Sequence, residues 1–154
     1  MLEPVMRTEL LLEEFVPFRL NRLADAVSVN LSEIYRDRFA LEVPEWRVLV
    51  TVGQCHEITA QQIVHSTRMH KTRVSRAVSA LEERSLLGRT SSHDDGREMR
   101  LHLTSAGEHM YRALVPLALE RERRLLSCLS DSQRRTFLAA LRQLEDALEL
   151  RVNG

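Results

Sequence analysis

From Glu9 to about Arg38 the apolar residues step by three or four, with Val16, Leu20, Leu23, Val27, Leu31 and Ile34 on one face of a long helix. Pro17 lies within its first turns and marks either the true start or a kink. Pro44 then opens a second, short and largely buried helix through Trp46, Val48, Leu49, Val50 and Val52, with Gly53 as its stop. Thr59-Ala60-Gln61-Gln62 has the spacing of a capping box and predicts a short helix to about Ser66. After a break at Thr67 to Met69, the stretch Lys71 to Arg84 puts Val74, Val78 and Leu81 on one face, while Thr72, Arg73 and Arg76 fall away from it. Two such helices joined by roughly four residues form a helix-turn-helix. From Leu86 to Thr104 the period drops to two. Met99, Leu101 and Leu103 alternate with Arg100 and His102, after an Asp94-Asp95-Gly96 run suited to a tight hairpin reversal. Thr104 starts a helix running to about Leu129. Ser130-Asp131-Ser132-Gln133 then caps another, which Phe137, Leu141, Leu144 and Leu148 carry almost to the C-terminus. The pattern predicts a mainly α fold with a small β-hairpin wing: a winged helix-turn-helix with helices on both flanks.

Composition narrows the class. The chain has 154 residues, 44% hydrophobic and 29% charged, with 5 glycines and 4 prolines, which suits one domain and excludes collagenous or disordered chains. The start lacks a basic segment and a cleavage site, and no apolar run approaches the roughly 18 residues of a membrane span. A soluble, cytoplasmic protein is expected. Two cysteines, Cys55 and Cys128, are too few for a disulfide framework and are expected to be buried small hydrophobes.

The 22 basic and 22 acidic residues cancel, so any nucleic-acid surface must be local. Residues 65–89 hold six basic against two acidic side chains, whereas residues 1–37 hold four against seven. Such an asymmetry turns the helix-turn-helix toward a polyanion and the N-terminal end away from it. A basic helix fits the major groove, about 12 Å wide, where arginine reads guanine edges, and Arg73 and Arg76 are the natural readers. A charged helix face is usually just solvated surface; the charged hairpin directly after it is what separates the two readings. Gly-x-Ser-x-Gly elbows, phosphate-binding glycine loops and dinucleotide fingerprints are missing, so no enzyme is expected. The six histidines and two cysteines show no close ligand pair, so neither a metal nor a cofactor is expected.

These residues resemble the MarR family of transcriptional regulators. The wing carries the resemblance furthest, through Asp95-Gly96-Arg97 and then Leu103-Thr104-Ser105-Ala106-Gly107. Lys71-Thr72-Arg73-Val74-Ser75-Arg76-Ala77-Val78 with Leu81-Glu82 resembles the family's recognition helix, and Pro44-Glu45-Trp46-Arg47-Val48-Leu49 its second helix. The resemblance implies one domain over 1–154. Within it, residues of about 1–40 and 105–154 form dimerisation helices and about 44–104 the winged DNA-binding region. It also implies DNA contacts from Lys71, Thr72, Arg73, Ser75 and Arg76 in the major groove and from Arg97 in the minor groove, with Asp95 holding the wing tip. His70 stands where the family usually has Asp; a neutral imidazole there can still accept an amide hydrogen bond, whereas a charged one opposes the helix dipole.

The family's regulators are homodimers, and Leu10, Leu11, Leu12, Phe15 and Phe18, with Phe137, Leu138, Leu141, Leu144 and Leu148, supply apolar material for that. The implied partners are double-stranded DNA with an inverted-repeat operator, a second copy of the chain, and a small aromatic acid or coenzyme A thioester that releases a repressor. Arg19 or Arg22 would pair the effector's carboxylate, with Trp46 and Tyr111 as flat walls. Trp46 as plain core and Arg19 as a surface ion-pair residue stand as the other reading. A ligand-independent, redox- or metal-responsive regulator and a helical interaction module without DNA remain the alternatives.

Overall fold

The computed structural model describes residues 9–91 and 97–150. A single 3₁₀ turn, Leu12–Glu14, leads into α1 (Val16–Phe39). Pro17 sits in the first turn of α1, where its missing N–H has no intrahelical partner to lose, so it marks the start and not a kink. The helix therefore begins later than the apolar pattern suggested. It ends at Ala40, which adopts a left-handed conformation with φ 49°.

Next come α2 (Val43–Cys55), a two-residue strand β1 (Ile58–Thr59), α3 (Ala60–Thr67) and α4 (Lys71–Glu83). The expected stop at Gly53 is overturned. The helix runs through it, and the glycine is needed because a Cβ there would lie 2.5 Å from Cδ2 of the Tyr111 ring. Glu42 and Glu45 form a reciprocal capping box at the start of α2, and Thr59 and Gln62 form the expected one at the start of α3. Strands β2 (Leu87–Ser91) and β3 (Met99–Leu103) are antiparallel, with Leu87 opposite Leu103 and Ser91 opposite Met99. β1 pairs on the far side of β3, so the hairpin expected from the sequence is two strands of a three-stranded sheet in the order β1-β3-β2. The Asp94-Asp95-Gly96 turn lies outside the described residues.

Two long helices complete the fold, α5 (Ser105–Leu126) and α6 (Asp131–Ala147), the latter opened by the Ser130–Gln133 capping box. The core is one cluster, in which Leu41, Val48, Leu49, Val52, Ile63, Val74, Val78, Leu81, Leu101 and Leu114 are almost wholly buried. α6 contributes no buried residue to it. Cys55 and Cys128 are both exposed, contrary to the expectation of buried thiols. Cys55 is the last residue of α2, and Cys128 lies in the connection between α5 and α6, where helices end in solvent.

The wing joins α5 at a tight junction. Thr104 Oγ1 donates to the Ser85 carbonyl at 2.6 Å and accepts the Gly107 N–H at 3.1 Å, while the Thr104 N–H donates to the Leu86 carbonyl. A Cβ at position 107 would stand 2.1 Å from that Leu86 oxygen, which belongs to backbone already held in place. Gly107→Ala is therefore expected to lower unfolding stability by about 1–3 kcal/mol, as overpacking in a rigid site does. Urea denaturation followed by circular dichroism checks this, and an unchanged midpoint would contradict the junction's rigidity.

Candidate nucleic-acid interface

The turn between α3 and α4 is built locally. Thr67 Oγ1 donates to the Ile63 carbonyl at 2.6 Å and accepts the Met69 N–H at 3.3 Å, and Arg68 reverses the chain in the left-handed region at φ 54°. Met69 is buried and anchors the turn to the core. His70 is the N-cap of α4, with its Nδ1 accepting the Thr72 N–H at 3.2 Å. An accepting Nδ1 carries no proton, so in this arrangement the neutral ring bears its proton on Nε2. This is the amide hydrogen bond a neutral imidazole can offer in place of Asp.

α4 is two-faced. Val74, Ala77, Val78 and Leu81 are buried, while Lys71, Thr72, Arg73, Ser75 and Arg76 are all exposed on the other side. Among the described residues, neither Arg73 nor Arg76 makes an ion pair. The nearby carboxylates of α2 are already engaged: Glu42 Oε2 takes two hydrogen bonds from Arg36, and Glu45 Oε2 accepts the Glu42 N–H. The arginines expected to read bases therefore share a groove with Glu42 and Glu45 without pairing to them, on a helix whose rotation is fixed from behind.

Not all of the local positive charge is available in this way. The Arg89 guanidinium on β2 grips both carboxylate oxygens of Glu82 on α4, through Nε to Oε1 and Nη2 to Oε2. That hydrogen bond to Glu82 is the main cause raising the Arg89 pKa above its ordinary value, so the guanidinium keeps its charge. It ties β2 to α4. Arg84 is likewise committed, to backbone carbonyls at the end of α1. Local charge counts miss these roles, because they depend on partners from other elements. Arg97 is exposed just before β3, and Asp95, expected to hold the wing tip, lies outside the described residues.

The four residues expected around an effector are not brought together within one chain. Arg19 and Arg22 line a groove along α1 with Glu13, Val16, Leu20, Leu23 and Ala26, and Arg22 lies over the Phe18 ring at 5.7 Å. Trp46 instead stacks on Tyr35, ring centroids 5.3 Å apart, and packs against the core with its Nε1 buried and lacking an acceptor. Tyr111 covers Gly53. Neither aromatic ring lines the α1 groove.

Known proteins share this architecture. A family model described as MarR family matches residues 41–99. The regulator PecS of Dickeya dadantii, an HTH-type transcriptional regulator, is 24% identical over 132 residues, covering 84% of this chain and 79% of PecS. A MarR family transcriptional regulator from Silicibacter pomeroyi is similar at 28% identity and a TM-score of 0.78, over 91% of this chain and 99% of that one. BpsR of Bordetella bronchiseptica, whose structure concerns the regulation of its DNA binding by 6-hydroxynicotinic acid, shares the fold at 20% identity and a TM-score of 0.80, over 90% of this chain and 98% of its own. Residues 41–99, which hold the helix-turn-helix and β2, match the MarR family model, and the fold is that of winged-helix structures of MarR family transcriptional regulators.

Proposed function

We propose that the chain is a homodimeric repressor that binds an inverted-repeat operator through α4 and the wing and is released by a small aromatic acid or acyl or aryl coenzyme A thioester. The observation that carries the DNA-binding part is α4 itself, whose apolar side is locked in the core while Lys71, Thr72, Arg73, Ser75 and Arg76 face outward. Arg97, with Asp95, completes the contact from the wing. No helix among the described residues is long and apolar enough to cross a membrane, and the cytoplasm is where such a protein would meet its operator.

The dimer reading rests on apolar surface left uncovered. Leu10, Leu11, Leu12 and Phe15 before and at the start of α1, and Phe137, Leu141, Leu144 and Leu148 on and after α6, are exposed, Leu10 and Leu148 by about two thirds. Patches of this kind on a soluble protein mark interfaces. A two-fold dimer would read half-sites about 34–36 Å apart, one turn of DNA. For the effector, the groove along α1 offers Arg19 and Arg22 beside Leu20 and Leu23. A guanidinium amid apolar walls suits a carboxylate on a flat apolar body, since a desolvated anion needs charged donors. The regulation of BpsR by an aromatic acid supports that ligand class.

Three outcomes are expected. With an operator selected from a random pool, Arg73→Gln and Arg76→Gln should each weaken anisotropy-measured binding about tenfold or more and flatten the salt dependence by about one phosphate contact, whereas Arg112→Gln on α5 should change neither. Selection that enriches no sequence would sink the DNA-binding reading. Leu141→Glu with Leu144→Glu should turn a dimer into a monomer in sedimentation; a persisting dimer would place the interface elsewhere. In a panel of aromatic acids and their coenzyme A thioesters, one member should displace the operator from the wild type and fail against Arg19→Gln with Arg22→Gln. Equal release from both proteins would remove the α1 groove from consideration.

A further inference from the structure

One arginine ends two helices. The backbone N–H of Arg84 closes α4 by donating to the Ala80 carbonyl at 3.2 Å, and Ser85 follows in the left-handed region at φ 56°. Its side chain reaches the C-terminus of α1, where Nη1 donates to the Ala40 carbonyl at 2.8 Å and Nη2 to the Phe39 carbonyl at 2.9 Å. The last carbonyls of an α-helix have no donor of their own and form the negative end of its dipole, so a guanidinium there is doubly favoured. The site it grips is itself anchored in the core. Leu41 is fully buried, and its N–H bonds the Tyr35 carbonyl at 2.8 Å.

We propose that Arg84 is a positioning residue. It fixes the angle between α1, which carries part of the dimer face, and α4, which carries the base-reading face, and thereby sets the spacing of the two recognition helices. This rests on the dimeric DNA-binding reading above. α1 packs on α2 and α5, and α4 packs on α2 and α3, so α2 lies between them as a pivot. Arg84 supplies a direct second point of attachment between α1 and α4. A planar fork with two donors holds two adjacent carbonyls at a set orientation, which a single ammonium cannot do. Arg84 also stands apart from the base readers, since Arg76 lies eight positions back along α4, roughly 12 Å at the helical rise.

The test separates this hold from DNA binding. Spin labels at Asp25→Cys on α1 and Ser79→Cys on α4, both exposed positions, are placed in a Cys55→Ser, Cys128→Ser background and diluted with unlabelled chain. Double electron–electron resonance then reads the distance within one chain. Arg84→Lys, which keeps charge and stem, and Arg84→Met, which keeps only the stem, should both broaden the distribution while helical circular dichroism stays unchanged. On the selected operator, inserting or removing one base pair between half-sites should cost the wild type about tenfold or more and the Lys variant less than about threefold, with affinity for random DNA unchanged. Distributions as narrow as the wild type's, or equally sharp discrimination of spacing, would overturn the proposal. Failure of the regulator reading looks different: a narrow wild-type distribution in a protein that selects no operator.

Discussion

The structure depends on one packing contact, the apolar stripe of α4 against α2. Val74, Ala77, Val78 and Leu81 meet a core that includes Val48, Leu49 and Val52. Burying a Val or Leu side chain contributes about 1.5–3 kcal/mol. A turn of α4 by one residue, roughly 100°, would bring several of these into water while driving arginines into the core. The facing of Arg73 and Arg76 is thus fixed by residues that never touch a ligand. Caps then set where the helix begins. His70 holds the first turn through Thr72, and the buried Met69 stops the turn before it from drifting.

Much of this was legible in the residue pattern, for physical reasons that can be named. The stripe on α4, the alternation in β3 and the capping boxes at Thr59 and Ser130 are local signals, each complete within a few residues of chain. Features that depend on distant partners were not legible. Gly53 resembles a helix stop until Tyr111 from α5 arrives above it. β1 is two residues long and exists only because β3 has an edge to offer. Glutamate is an uncommon N-cap, so the Glu42–Glu45 box on α2 carries little weight before it is seen closed.

The candidate site divides along the same line. Sequence identified the exposed face of α4, because amphipathic spacing decides it. It did not separate arginines held by the fold from those left outward, since Arg84 and Arg89 look no different from Arg73 until Phe39, Ala40 and Glu82 are placed beside them. It also left Trp46 between wall and core. The stack on Tyr35 gives the ring its packing partner, and its buried Nε1 remains the one part of that side chain without one.

The absence of buried residues on α6 has a consequence for the life of the chain. A helix of 17 residues supported mainly by its cap and its own turns is marginally stable in water. In the proposed dimer its ordering would be one event with burial of Phe137, Leu141 and Leu144 against the second copy, and stability would be inseparable from protomer concentration. Newly made chains without a partner would keep a frayed, leucine-rich C-terminal segment open to proteases, while assembled ones would hide it. Turnover would thereby set a floor on the copy number at which this protein accumulates.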